Sequence, residues 1–470
     1  MYYKKIFTRV ISNKNIFNVL AIIFCGIFTL FGILINLNRF WQYETGYYDF
    51  GIFASAIWKI SRFQAPIIDH FLIPGKWIFA DHFNPTIFLL TPVYWLTSRI
   101  EAILIVQDFA VAISGWLLYR IGLKLLKNPI LSFCVLVSYF LFVGLQNAIF
   151  SDFHELTLMT LPLMLVYWAI VNNHKRRYWF FLLLVLGCKE SLFLLGVGIG
   201  VLIFFYKKDW RKIAIMTMIV SILWGMITIK YVIPYFSQGG YNYAPKFPIN
   251  ISQLITGLTQ PAIKLQTTFL IFASFSFLPL LFPQGLPIII MNLVSRFLSE
   301  GPIRWDLGLH YNAEIAPTLA VSTLFGLLLI KQRFGNRFAV IFSVMLVAIS
   351  FGLYRFILHG PFGLAYHPAF YNNTNNFKYL DKLVKTIPKN VSVVTQNNLA
   401  ANFLQQPVYI LREDYKKHKA KYILFDLRPG QNPTNFLGIK DVNRLLITVK
   451  NDQDYYLQYQ DKEQYIFKRK

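Results

Sequence analysis

Long apolar runs separated by short polar breaks dominate the first three quarters of the chain. The runs at 16–37, 101–123, 129–149, 156–171, 213–231, 313–330 and 338–358 approach the roughly 20 residues with which one helix crosses about 30 Å of hydrocarbon. They predict transmembrane helices. Two further apolar runs are interrupted. Residues 178–206 are too long for one straight span and too short for two, which predicts two short helices meeting at Cys188-Lys189-Glu190. Residues 265–298 contain the breakers Leu278-Pro279 and Pro283-Gln284-Gly285 and read as a second hairpin. Broken helices at membrane depth are tolerated only where protein or a wet cavity covers the backbone, so both hairpins are expected to line a cavity. In the first outer loop, 38–100, aromatic-rich stretches around Tyr47 to Trp58 and Phe83 to Trp95 are too short to span. They predict two helices lying along the interface.

The pattern changes after His359-Gly360-Pro361, where apolar runs shorten and Asn, Lys, Asp and Gln rise. A helix over 376–387, a β-rich run at 391–395, a helix from Asn398, strands at 408–411 and 422–427, and a hairpin at about 454–468 predict a small α/β domain with a largely parallel sheet. The expected organisation is therefore an α-helical polytopic membrane domain over 1–362 and an outer α/β domain over 363–470. No glycine-rich phosphate loop follows these strands, which leaves nucleotide binding there without support.

Composition agrees: 56% of residues are hydrophobic and only 14% charged, too few to give a soluble domain of this length a polar surface. The net charge of +24 does not imply nucleic acid, because the basic residues fall in short clusters between spans. Those clusters are Lys4-Lys5-Arg9-Lys14, Arg120-Lys124-Lys127, Lys175-Arg176-Arg177, Lys207-Lys208-Arg211-Lys212 and Lys331-Arg333-Arg337. By the positive-inside tendency they are cytoplasmic. The expectation is a multi-pass cell-membrane protein with a cytoplasmic N-terminus, a retained signal-anchor helix at 16–37 and an extracytoplasmic C-terminal domain. Cys25, Cys134 and Cys188 lie inside apolar spans and form neither a disulfide framework nor a metal set.

With that orientation the membrane-adjacent acids and histidines (Asp49, Asp69-His70, Asp81-His82, Asp152-His154-Glu155 and His310) all reach the outer side. Ionisable groups at a membrane usually mark function. Their one-sided clustering points to a reaction centre at a membrane surface. Each group has a plainer explanation as well: Asp49 as a helix cap, Asp81-His82 and Asp152-His154-Glu155 as loop-fixing ion pairs, Lys189-Glu190 as an internal pair, His310-Tyr311 as an interfacial anchor. A divalent metal held by these histidines and carboxylates is an open alternative, although their spacing matches no compact ligand motif. No other cofactor is implied.

The ordered series Tyr48-Asp49-Phe50-Gly51-Ile52-Phe53 with Trp58, His82-Phe83-Asn84-Pro85, Asp152-Phe153-His154-Glu155, Lys189-Glu190 and His310-Tyr311 resembles the membrane family catalogued as domain of unknown function 2079. In the outer domain, Ile387-Pro388 followed by 391–395 and Gln396-Asn397-Asn398-Leu399 resembles that family's IPPDASVAASNNL stretch. The family is in turn similar to the GT-C class of polytopic glycosyltransferases. The resemblance implies a sugar passed from a polyprenyl-phosphate donor to an unidentified acceptor, with inversion, and membrane lipid as the surrounding partner. It implies that Asp49 is the catalytic carboxylate and that Lys189 serves the leaving phosphate. Glu190, Asp81, His82, Asp152, His154, Glu155, His310 and Tyr311 are then candidate substrate-binding groups. Asp49 is followed by Phe50-Gly51 and not by a second acid, which departs from the paired carboxylates of many GT-C enzymes. The rival classes are a transporter or flippase of a lipid-linked or envelope precursor, which normally repeats its helical pattern in two halves, and a non-catalytic envelope scaffold.

Overall fold

A computed structural model describes residues 14–69, 74–243, 250–429 and 437–470; Lys4, Lys5, Arg9 and His70 lie outside them. The helices Lys14–Trp41, Ala102–Leu126, Lys208–Ser237 and Asn336–Ile357 are long and apolar enough to cross a bilayer, and Pro129–Leu141 with Val143–Phe150, bent by 48° at the break, reaches that length only when the pair is taken together. Their outer faces stay apolar. Val19, Ile22, Ile23 and Leu30 on the first helix, and Ile215, Ile219, Ile222 and Met226 on Arg211–Ile227, are exposed. An outside of this kind suits hydrocarbon and would be unfavourable in water.

Helix pairs close up where side chains are small. Gly32 leaves room for Asp108, whose Cγ would stand 3.0 Å from a β-carbon there, and Asn36 Nδ2 donates to both carboxylate oxygens at 2.9 and 3.1 Å. One amide thus ties the first helix to Ala102–Leu126. Both broken hairpins are present. Lys175–Leu186 turns at Cys188-Lys189 into Glu190–Leu192 and Phe193–Tyr206. Ile263–Ala273 passes through the 3-10 turns Leu278–Leu281 and Pro283–Gly285 into Leu286–Phe297. The two hairpins pack directly, with Gly198 closed over Ile288.

The first outer loop differs from the expected pair of helices. It holds the helix Ile52–Ser61, an antiparallel hairpin of β1 (Ile67–Asp69) and β2 (Pro74–Trp77), a 3-10 segment Pro85–Leu90 and a single turn Val93–Leu96. The hairpin escapes sequence reading because 67–77 lacks period-two alternation.

The C-terminal sheet runs β4-β3-β5-β7-β6, from β3 (Val393–Thr395), β4 (Val408–Ile410), β5 (Tyr422–Asp426), β6 (Tyr455–Asp461) and β7 (Gln464–Arg469). Only β4-β3-β5 is parallel; β7 and β6 are antiparallel, so the sheet is mixed. The helix over the sheet begins earlier than expected, at Pro368–Lys385, and a second one, Gly438–Lys450, covers one face. Alternation along the strands sends Val394, Ile423, Phe425 and Phe467 to Val442, Leu445 and Val449 of that helix. The opposite residues, Val393, Leu424 and Ile466, share a core with Tyr47, Phe50, Ile57 and Ile68 of the first outer loop. Loop and sheet are one packed unit.

Asp69 fastens that unit. It is buried; Ile410 N–H donates to its Oδ2 at 2.7 Å and Arg412 Nη1 to its Oδ1 at 3.1 Å. Asp69→Ala leaves a backbone donor and a guanidinium without their acceptor, and should destabilise the protein by about 1–3 kcal/mol. Hydrogen exchange should then quicken at β1 and at 408–412 while the helical spans keep their protection. Unchanged exchange at 408–412 would show that apolar packing alone holds the sheet.

Candidate functional site

Asp49 sits where the chain turns from the first spanning helix into Ile52–Ser61. The turn Tyr47–Gly51 is not regular: Tyr48 is extended (φ −63°, ψ 135°) and Asp49 has φ 71°, ψ −91°. A positive φ on a residue other than glycine is sustained only when its surroundings over-determine it, and here the outer domain does so. Tyr48 N–H donates to Asn397 Oδ1 at 2.8 Å, and Arg412 Nη2 donates to the Tyr48 hydroxyl at 3.0 Å. Asp69 N–H donates to the Tyr47 hydroxyl at 3.1 Å. Gly46 has no room for a side chain, because a β-carbon would lie 2.5 Å from Asn397 Nδ2. The Asp49 carboxylate, 62% exposed, projects into a cavity with its Oδ1 3.4 Å from His154 Nε2.

Eight of the ten candidate residues line that cavity: Asp49, Asp81, His82, His154, Glu155, Lys189, His310 and Tyr311. They come from the first outer loop, the break before Glu155–Leu158, the apex of the first hairpin and the 3-10 turn His310–Asn312. The other two stand behind it. Glu190 accepts from the Tyr241 hydroxyl at 2.7 Å and from Phe83 N–H at 3.0 Å, and lies 2.9 Å from His82 Nδ1. Asp152 accepts from Arg39 at 2.8 Å. Through its carbonyl, which accepts from Gln107 at 3.0 Å, it helps fix the segment that carries His154.

Lys189 is paired with Glu155, at 2.8 Å, and not with the adjacent Glu190. Its side chain is only 14% exposed and Glu155's is fully buried, so it is a buried counter-ion as well as a cavity wall. Lys189 is extended (φ −163°, ψ 145°) just before the 3-10 turn Glu190–Leu192, and Lys189 and Glu190 serve different partners.

Electrostatics differ along the lining. Burial and Lys189 push the His82 imidazolium down, but the carboxylates of Asp81 and Glu190 outweigh them and hold its pKa above the ordinary range. Burial, with His154, Lys189 and Arg304 nearby, holds His310 well below its ordinary value. His310 is therefore neutral at pH 7, stacked on His154 with ring centroids 3.5 Å apart. Burial raises the Tyr241 and Tyr243 phenols, and the neighbouring carboxylates of Glu190 and Asp81 raise them further.

A second cavity adjoins the first and shares His82, Lys189, Tyr243, Arg304 and Tyr311 with it; Asn292, Ser295 and Arg296 of the second hairpin, with Tyr241 and Glu314, add to its wall. Both hairpins thus line the site. Sequence reasoning missed Arg304, Tyr241 and Tyr243. The Arg304 guanidinium lies 5.6 Å from the Tyr243 ring centroid and 5.5 Å from that of Tyr311, and among the described residues it makes no hydrogen bond or ion pair. Arg296, by contrast, is committed to Asn312 Oδ1 at 2.9 Å and to the carbonyls of Arg304 and Asp306. Among the described residues no group of three histidine, cysteine or acidic side chains is arranged to hold a metal ion.

What this arrangement offers is a carboxylate, a guanidinium, an imidazole and a lysine-carboxylate pair around one partly open space. No curated protein matches the chain. Residues 39–465, from the end of the first spanning helix to the last strand, match the model of the family described as a predicted membrane protein, domain of unknown function 2079, and the chain belongs to that family.

Proposed function

We propose that the protein is a membrane glycosyltransferase of the GT-C type, transferring a sugar from a polyprenyl phosphate to an acceptor on the outer membrane face. The observation that carries this reading is the single cavity in which Asp49 and Arg304 both end. In this reading Asp49 accepts the proton of the attacking acceptor hydroxyl. The guanidinium of Arg304, with its donors uncommitted, binds the leaving phosphate through charge-assisted hydrogen bonds. Lys189, held by Glu155, adds positive charge without having to leave its partner, and His154 orients the Asp49 carboxylate. No metal is required by these steps.

The depth of the site suits a substrate carried on lipid. Lys189 follows a helix of 12 residues that starts at the basic cluster Lys175-Arg176-Arg177. Such a helix rises about 18 Å, well short of the roughly 30 Å hydrocarbon thickness, so a cytoplasmic position for that cluster sets the cavity floor below the outer surface. A flippase would carry the lipid across without needing a base. A scaffold would need neither group.

Asp49→Asn keeps the shape of the turn and removes the base; it should lower sugar transfer about 10²-fold while carrier-lipid binding persists. Full transfer by that variant would take Asp49 out of the mechanism. Arg304 and Lys189 should separate cleanly. Arg304→Met should weaken polyprenyl-phosphate binding roughly 10- to 100-fold, the worth of a hydrogen bond to a charged group, with the melting temperature little changed. Lys189→Met strands the buried Glu155 carboxylate and should destabilise the fold by about 3–5 kcal/mol. Adding Glu155→Gln should recover most of that stability. If Arg304→Met binds the carrier as the parent does, the phosphate lies elsewhere.

A further inference from the structure

Three buried side chains, far apart in sequence, bring unsatisfied polar atoms to the cavity that Asp49 enters. Among the described residues, the fully buried Asn84 has no hydrogen-bond partner for its Oδ1 or its Nδ2. Glu155, also fully buried, gives Oε1 to Lys189 and finds no partner there for Oε2. His310 is 6% exposed, and among the same residues its Nδ1 has no partner. All three line the one cavity. Buried polar atoms are rarely left without a partner, because the water they lose is not replaced. Three such residues around one space therefore point to a ligand that completes them.

Local structure explains why they do not satisfy each other or the backbone. Asn84 precedes the 3-10 segment Pro85–Leu90, where an asparagine commonly caps, yet its side chain makes no cap. The His310 ring is fixed by stacking on His154 and lies 4.2 Å, centroid to centroid, from Tyr311. Glu155 opens its helix and is anchored by Lys189. The set then offers one amide donor, one amide acceptor, one carboxylate acceptor and one imidazole nitrogen. A hydroxyl both donates and accepts, so a ring bearing several hydroxyls matches this set. A ligand carboxylate would face the Asp49 and Asp81 carboxylates of the same cavity with like charge, and within the three-residue set the one charge, on Glu155, is already balanced by Lys189, which leaves little there for an added ammonium.

We propose that Asn84, Glu155 and His310 form the subsite for a neutral polyhydroxylated ring, the sugar borne by the carrier phosphate. The proposal rests on the glycosyltransferase reading and narrows it to an uncharged sugar, read by side chains other than the base and the phosphate ligand.

The test compares three lipids on the purified full chain in nanodiscs: a polyprenyl phosphate, and the glucosyl and glucuronosyl esters of the same phosphate. The glucosyl lipid should bind about tenfold more tightly than the bare phosphate, and the glucuronosyl lipid no better than the bare one. Asn84→Ala should bring the glucosyl-to-bare affinity ratio to about one while leaving the affinity for the bare lipid within about twofold. His310→Phe, which keeps the ring stacked on His154, should act in the same direction and guards against a folding defect in the first variant. If the bare lipid binds but glucose adds nothing, or if glucuronate is preferred, the subsite is overturned and the carrier reading stands. If none of the three lipids binds, the carrier reading fails and the subsite fails with it.

Discussion

A carboxylate buried among apolar helices costs several kcal/mol unless a cation meets it, and Glu155 meets Lys189 at 2.8 Å. This pair joins the first turn of one helix to the apex of a broken hairpin 34 residues later, and both residues form cavity wall. The hairpin cannot straighten without stranding a charge. Similar constraints hold the other walls. Glu190 gathers His82, Phe83 N–H and Tyr241, and Asp81 accepts from Tyr243 at 2.6 Å. Charge neutralisation across segments thus fixes the cavity, into which the half-exposed Asp49 carboxylate, 3.4 Å from His154, and the Arg304 guanidinium also project.

The outer domain follows from a second constraint. A turn with positive φ at Asp49 is unfavourable in isolation, and a short loop on a membrane bundle has little core of its own. The sheet supplies both needs. Its inner face shares a core with Tyr47, Phe50 and Ile57, and Asn397 and Arg412 hold Tyr48 on the step before Asp49. The domain is therefore part of the cavity's geometry, in the sense that its removal would free the turn.

Much of this was legible in the residues. Apolar runs located four long helices and one bent pair, whereas the runs at 156–171 and 313–330 form helices that fall short of that measure; the length of 178–206 located one break, proline and glycine located the other, and the alternation of helix and strand located a C-terminal sheet. The one-sided acids and histidines belong together in part: six of them, Asp49, Asp81, His82, His154, Glu155 and His310, line one space. Other features left no local signal. Arg304 ends the short 3-10 turn Pro302–Arg304 and stands out only in the fold, where Arg296 has taken the surrounding carbonyls and Asn312 and the Arg304 guanidinium has no hydrogen-bond partner among the described residues. Lys189 stands beside Glu190 in sequence, so its true partner, Glu155, is visible only when the helices are packed. The β1–β2 hairpin is set by its docking on the sheet through Asp69, a contact 341 residues long in sequence, which no periodicity reports.

The most direct test of the account is a structure of the full chain in nanodiscs with a polyprenyl phosphate added. The account predicts phosphate density in the shared cavity within hydrogen-bonding distance of Arg304, with the Asp49 carboxylate facing the same space. A phosphate bound at the exposed apolar faces of the spans, with the cavity holding only water, would contradict it.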